Sequence, residues 1–180
     1  MRDPYTQPGD VNLGAGTSGD EKVLKIVLIG PMCVGKSTIG SELANRLDLP
    51  MLEMDDLRWS LYPEAGYDEE LARRIYQAEG TLGVLRYSKP FEAYAVQKIL
   101  RRQGDFVLAL GAGHSVYEDE ELFDLVERAL KPLPYVILLL PSVDQTRSID
   151  ICNERFSALL LEETGEIDGS LLELNEHYIR

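Results

Sequence analysis

The chain has 180 residues, 44% of them hydrophobic, and a formal net charge of −13 at pH 7. That length suits one domain with a sizeable core. The acidic balance argues against a broad nucleic-acid-binding face, which would be basic, and no apolar run is long enough to cross a bilayer.

Residues 1–21 are polar and carry Pro4, Pro8, Gly9, Gly14, Gly16 and Gly19 without the apolar core of a signal peptide. They read as a disordered leader, and residues 22–180 as the folded domain. Cys33 and Cys152 make neither a disulfide framework nor a zinc site, so a reducing cytoplasm is the simplest compartment.

Val23 to Ile29 is a mostly apolar, β-branched run that reads as a buried strand. It leads into Gly30-Pro31-Met32-Cys33-Val34-Gly35-Lys36-Ser37-Thr38, which fits the phosphate-loop pattern G-x-x-x-x-G-K-[ST]. Lys36 to Leu47 follows as a helix, with Ile39, Leu43 and Leu47 expected on its buried face. Strand, glycine loop and helix is the order this motif requires. Gly30 and Gly35 permit close backbone approach. The loop amides around Cys33 and Val34, with the helix start through Thr38, direct partial positive charge at one point. Lys36 can reach β- and γ-phosphates, and the Ser37 hydroxyl can ligate Mg²⁺. An acidic protein can still hold ATP in a local positive pocket, since Mg²⁺ supplies part of the charge.

A short second strand, Leu49 to Met54, ends in Glu53, Asp55 and Asp56. A helix from Leu57 to Leu61 is broken at Pro63 to Gly66. Asp68 to Glu79 is a charged helix. Lys89-Pro90 is expected to mark a boundary before a helix from Phe91 to Gln103. Phe106 to Leu110 is a third strand, running into the small-residue turn Gly111-Ala112-Gly113. Glu118 to Lys131 is a helix, Tyr135 to Leu140 a fourth strand, and Val143 to Glu163 mostly helical. Ser170 can cap a last helix.

Strands alternating with helices predict an α/β three-layer fold, a parallel sheet of four to five strands covered by helices on both faces. No apolar run remains after the last helix for a fifth strand. Ligands on such sheets bind beyond the carboxyl ends of the strands. The phosphate loop, the Glu53/Asp55/Asp56 group and the Gly111–Gly113 turn all fall there. Phosphoryl transfer needs a carboxylate to orient the acceptor hydroxyl and take its proton. Asp55 is the first candidate, Asp56 the next, and Glu53 suits Mg²⁺ through water. A solvated acidic helix start is the alternative. Arg58 could hold an anionic acceptor or pair with its acidic neighbours. Trp59 could stack on a ring, and His114 could touch substrate or start a helix. Cys33, near a helix N-terminus, is expected to have a lowered thiol pKa.

The phosphate loop, Glu53-Met54-Asp55 after strand two and Gly111-Ala112-Gly113 after strand three together resemble the shikimate kinase group of small-molecule kinases, within the nucleoside-monophosphate-kinase-like fold. The likeness spans roughly Val23 to Arg155. It implies ATP- and Mg²⁺-dependent phosphoryl transfer to a hydroxyl of a small metabolite, with Asp55, Gly111, Ala112 and Gly113 on the substrate. It implies a substrate arginine, for which Arg86 after Leu85 is the nearest match and Arg73 and Arg74 compete. It also implies lid arginines closing over ATP, matched by Arg147 and by Arg155, the latter with a catalytic role. The chain departs from the family pattern where Glu53 replaces an aspartate and Ala112 interrupts three glycines. Phosphoryl transfer carries over and the acceptor stays open.

Two rivals remain: a nucleoside or nucleotide kinase, and a non-catalytic nucleotide sensor. A guanosine switch protein would need an Asn-Lys-x-Asp motif, which the chain lacks. A monomer or dimer is expected, with a small-molecule partner, no nucleic acid and no membrane.

Overall fold

A computed structural model describes residues 23–180; the expected leader, residues 1–21, lies outside the described residues. The order is β1 (Lys25–Ile29), α1 (Lys36–Leu47), β2 (Met51–Glu53), α2 (Met54–Leu61), a 3₁₀ turn (Pro63–Ala65), α3 (Glu69–Leu100), β3 (Phe106–Ala109), a 3₁₀ turn (Ala112–Ser115), α4 (Glu120–Leu130), β4 (Tyr135–Leu138), α5 (Gln145–Thr164) and α6 (Gly169–Ile179). The expected α/β fold is present. The described residues form one four-stranded sheet in the order β2-β3-β1-β4, with every pair parallel.

Alternation along the strands splits the core into two layers. Val27, Phe106, Leu108 and Leu110 face one way, against Ala93, Val96 and Leu100 of α3 and Val126 of α4. Ile26, Leu28 and Val107 face the other way, against Ala44 of α1 with Leu43 and Met51 around it. Fully burying each such side chain contributes about 1.5–3 kcal/mol, which holds the strand ends, and hence the loops beyond them, in fixed relation.

Three local expectations are corrected. The face α1 buries is Gly40 and Ala44, while Ile39 and Leu47 stand exposed. A Cβ at Gly40 would lie 2.6 Å from Met51 Cε, so small residues let the helix approach the sheet more closely than leucines would. Pro90 does not end a helix: it lies inside α3, held there by the buried Ala93, Val96 and Leu100, and the real break is at Gly80, with φ 68° and ψ −163°. Asp168, not Ser170, caps α6, accepting the Ser170 amide at 2.9 Å. All four residues of β4, which pairs with β1 alone at the sheet edge, are exposed, whereas those of β2 at the opposite edge are partly buried. Among the described residues no helix is long and apolar enough to cross a membrane.

Candidate active site

Register brings three strand ends level: Glu53 of β2 pairs with Ala109 of β3, and Ala109 with Leu28 of β1. The segments that follow therefore leave the sheet side by side. In the phosphate loop Gly30 has φ +144°, and a Cβ there would fall 2.5 Å from the Leu139 carbonyl. Gly35, with φ +101°, turns the chain into α1. Val34 is buried beneath the loop and Thr38 is exposed in the first turn of α1. Lys36 Nζ folds over the loop and donates to the carbonyls of Gly30 and Pro31, each at 2.8 Å. Burial lowers the Lys36 pKa from its ordinary value, and nearby Asp55 partly offsets this.

Ser37 and Glu53, the two residues expected at the metal, come together between the start of α1 and the end of β2: Ser37 Oγ donates to Glu53 Oε2 at 2.9 Å. A hydroxyl and a carboxylate at a phosphate loop suit Mg²⁺, which binds through few protein oxygens and takes the rest from phosphates and water. Among the described residues no group of three or more His, Cys, Asp or Glu is placed to cage an ion, consistent with that mode of binding.

On the acceptor side, Asp55 and Asp56 occupy the first turn of α2, where the helix dipole favours carboxylates. Asp55 reaches the Gly111 turn: a Cβ on Gly111 would lie 2.6 Å from Asp55 Oδ1 and 2.7 Å from His114 Nδ1. Space, and not an unusual φ, is what requires glycine there, since Gly111 has φ −57°. Arg58 Nη1 lies 3.5 Å from Asp55 Oδ1, and its guanidinium sits 4.7 Å from the ring centre of exposed Trp59. Arg58 Nε is buried without a hydrogen-bond partner, alone in this among side-chain atoms of the described residues.

Beneath the turn lies a polar layer: the sequence singled out His114, expected to touch substrate or start a helix, but not Lys89 or Glu92. His114 is buried, and its Nε2 meets Tyr62 Oη at 3.1 Å, so it supports the turn from below. Lys89 Nζ donates to Glu92 Oε2 at 2.9 Å and to the carbonyls of Gly113 at 2.8 Å and Val116 at 3.0 Å. Glu92 is buried, and burial raises its pKa despite the attraction of Lys89. The signal for this pair was a Lys-x-x-Glu spacing in an otherwise apolar stretch, obscured by Pro90 between the two.

Arg155 Nη1 donates to the Cys33 carbonyl at 3.4 Å, so α5 brings one expected lid arginine to the loop. Arg147 lies exposed in the first turn of α5, and among the described residues its side chain makes no hydrogen bond to the loop. Arg86 pairs with Glu79 at 2.8 Å and lines a cavity of about 670 Å³ between α3 and α6, together with Leu82, Leu85, Lys89, Leu174 and Tyr178. The structure does not bring Arg86 to Asp55. Arg73 pairs with Glu70 on the surface. The expected lowering of the Cys33 thiol pKa is reversed: burial raises it, outweighing Lys36 and Arg155.

The family model of shikimate kinase matches residues 32–148, more than half of the chain. This chain belongs to the shikimate kinase family. The matched span takes in Lys36, Ser37, Glu53, Asp55, Arg58 and the Gly111–Gly113 turn. A shikimate kinase of Flavobacterium psychrophilum is 31% identical over 99 residues, covering 55% of this chain and 52% of that protein. One from Francisella tularensis subsp. holarctica is 35% identical over 88 residues, covering 49% and 44%. The chain thus spans about half the length of the curated relatives it matches. Among solved structures, a shikimate kinase from Acinetobacter baumannii in complex with shikimate superposes with a TM-score of 0.55 at 21% identity, covering 89% of this chain and 80% of that one. That likeness is one of fold.

Proposed function

We propose that this family member transfers the γ-phosphoryl group of ATP to a hydroxyl of a small polyhydroxylated carboxylic acid of the shikimate type. The observation that carries the reading is the position of Asp55 at the end of β2, against Gly111 and beside Arg58. Phosphoryl transfer depends on positioning and charge more than on covalent chemistry. Asp55 orients the acceptor hydroxyl and takes its proton as the oxygen attacks phosphorus. Arg58, beside Asp55, offers its guanidinium to an anionic group of the acceptor. Gly111 leaves room for Asp55 to stand at the strand end, and Gly113 for the Glu92–Lys89 pair behind it. Lys36 leaves the loop carbonyls to contact the β- and γ-phosphates, and Arg155 closes from α5. Ser37 and Glu53 would hold Mg²⁺, which neutralises phosphate charge when bound.

Arg86 lines a separate cavity, paired with Glu79, and Arg147 stands exposed on α5, so neither carries this reading. Cys33 and Cys152 as free thiols support a cytoplasmic setting.

The test is ATP consumption at fixed Mg²⁺ with shikimate, sugar acids, nucleosides and nucleoside monophosphates as acceptors, using Lys36→Ala as the blank. Stimulation by shikimate that depends on Lys36 is the expected result. Stimulation by a nucleoside or its monophosphate alone would replace this reading with a nucleotide kinase, and ATP binding without any stimulated turnover would replace it with a sensor.

A further inference from the structure

Asn175 on α6 is fully buried, an unusual place for an amide. Its Oδ1 accepts the backbone N–H of Met32, inside the phosphate loop, at 2.8 Å. Its Nδ2 donates to Asn153 Oδ1 on α5 at 3.2 Å. The neighbouring α6 residues Leu171, Leu172 and Leu174 need no polar partner, so the loop and Asn153 account for an amide here. α5 also meets the loop directly, through Arg155 Nη1 and the Cys33 carbonyl.

The place of Met32 in the loop matters. Lys36 Nζ, the group that reaches β- and γ-phosphates, rests on the carbonyls of Gly30 and Pro31. The Gly30–Met32 segment therefore flanks the terminal-phosphate end of the loop. A phosphate oxygen arriving there is a charged acceptor, and such bonds are roughly twice as strong as an amide–carbonyl bond. It would take the Met32 N–H from Asn175. A fully buried Oδ1 left without its donor is unfavourable, so the side chain must find another arrangement.

We propose that Asn175 reads the terminal phosphate of the bound nucleotide, a reading that rests on nucleotide binding at this loop. Half a turn about its Cβ–Cγ bond places Nδ2–H where Oδ1 stood, and that N–H donates to the phosphate. Asn175 Oδ1 then faces Asn153, which turns in concert and donates its own Nδ2–H. Each amide carries both a donor and an acceptor, so the pair is satisfied in both states. The loop thereby distinguishes a triphosphate from a diphosphate and signals the difference to α5 and α6.

The test is calorimetric titration of the full chain with Mg²⁺ complexes of ADP and of a non-hydrolysable ATP analogue. Asn175→Asp keeps an acceptor for Met32 but has no N–H to donate. A hydrogen bond to a charged group contributes about 1.5–3 kcal/mol, so affinity for the analogue should fall about tenfold or more while ADP stays within about twofold. Asn153→Asp, at a partly exposed position, holds Asn175 in its nucleotide-free orientation and should lower only the analogue's affinity, which keeps the test open if Asn175→Asp fails to fold. Equal losses for both nucleotides, as a packing defect gives, or an unchanged ratio in Asn153→Asp, overturns the proposal. Failure of the unsubstituted chain to bind either nucleotide removes the loop reading itself, and this inference with it.

Discussion

The imidazole Nε2 of His114 and the phenol oxygen of Tyr62 meet 3.1 Å apart, both residues buried beneath the Gly111–Gly113 turn. Burial, with Arg58, Lys89 and Lys36 nearby, pushes the His114 pKa down from 6.5 to about 3. The ring is neutral wherever the protein is folded and charged in the unfolded chain below its ordinary value. Stability from this group is therefore fully present above pH 6.5 and lost as pH falls toward about 3. Denaturant unfolding at several pH values should show a steeper acid loss in the unsubstituted protein than in His114→Gln. Parallel curves would mean that the ring titrates normally.

The turn also limits what can stand at position 111. Gly111→Ala drives a methyl group into Asp55 Oδ1 and His114 Nδ1. Overpacking of this kind costs about 1–3 kcal/mol, and here it displaces the proposed base. A lowered melting temperature together with a fall in turnover is expected; a variant that lost stability and kept full turnover would detach Asp55 from the chemistry.

Lys89 and Glu92 form a buried pair in which only the lysine side chain has appreciable exposure, 22% against 4%. Removing one partner strands the other charge. Lys89→Met should destabilise by about 3–5 kcal/mol, while Lys89→Met with Glu92→Leu should recover much of that. Chemical denaturation of both variants measures the difference. Because burial raises the Glu92 pKa, the sign is opposite to that of His114: this carboxyl favours the folded state below its ordinary range and disfavours it as pH rises through the folded value.

Roles in the proposed transfer separate by kinetics. Lys36→Ala should lower turnover by about 10²–10³, the loss typical of removing one preorganised donor to developing charge. Asp55→Asn should lower turnover far more than ATP affinity, and Asp56→Asn should change little, since it is Asp55 that stands against Gly111. A large loss in Asp56→Asn with none in Asp55→Asn would exchange the two.

Much of this site is written in short stretches of chain. The phosphate loop, the carboxylates after β2 and the small-residue turn after β3 are local patterns. Their convergence follows from the rule that parallel strands open their ligand sites at one edge. Alternating strands and helices likewise specify a parallel sheet. Tertiary structure decided what depends on distance. Which face α1 buries was settled by how closely Gly40 lets it approach Met51, and helical periodicity alone favoured the leucines. β4 is as apolar as β1 in sequence, yet it stands exposed at the edge of the sheet. Lys89 and Glu92 look like surface charges until the fold places them under Gly113. Asn175 meets Met32 across 143 positions of chain. No local pattern encodes such a contact, because its energy exists only once both helices have packed onto the loop.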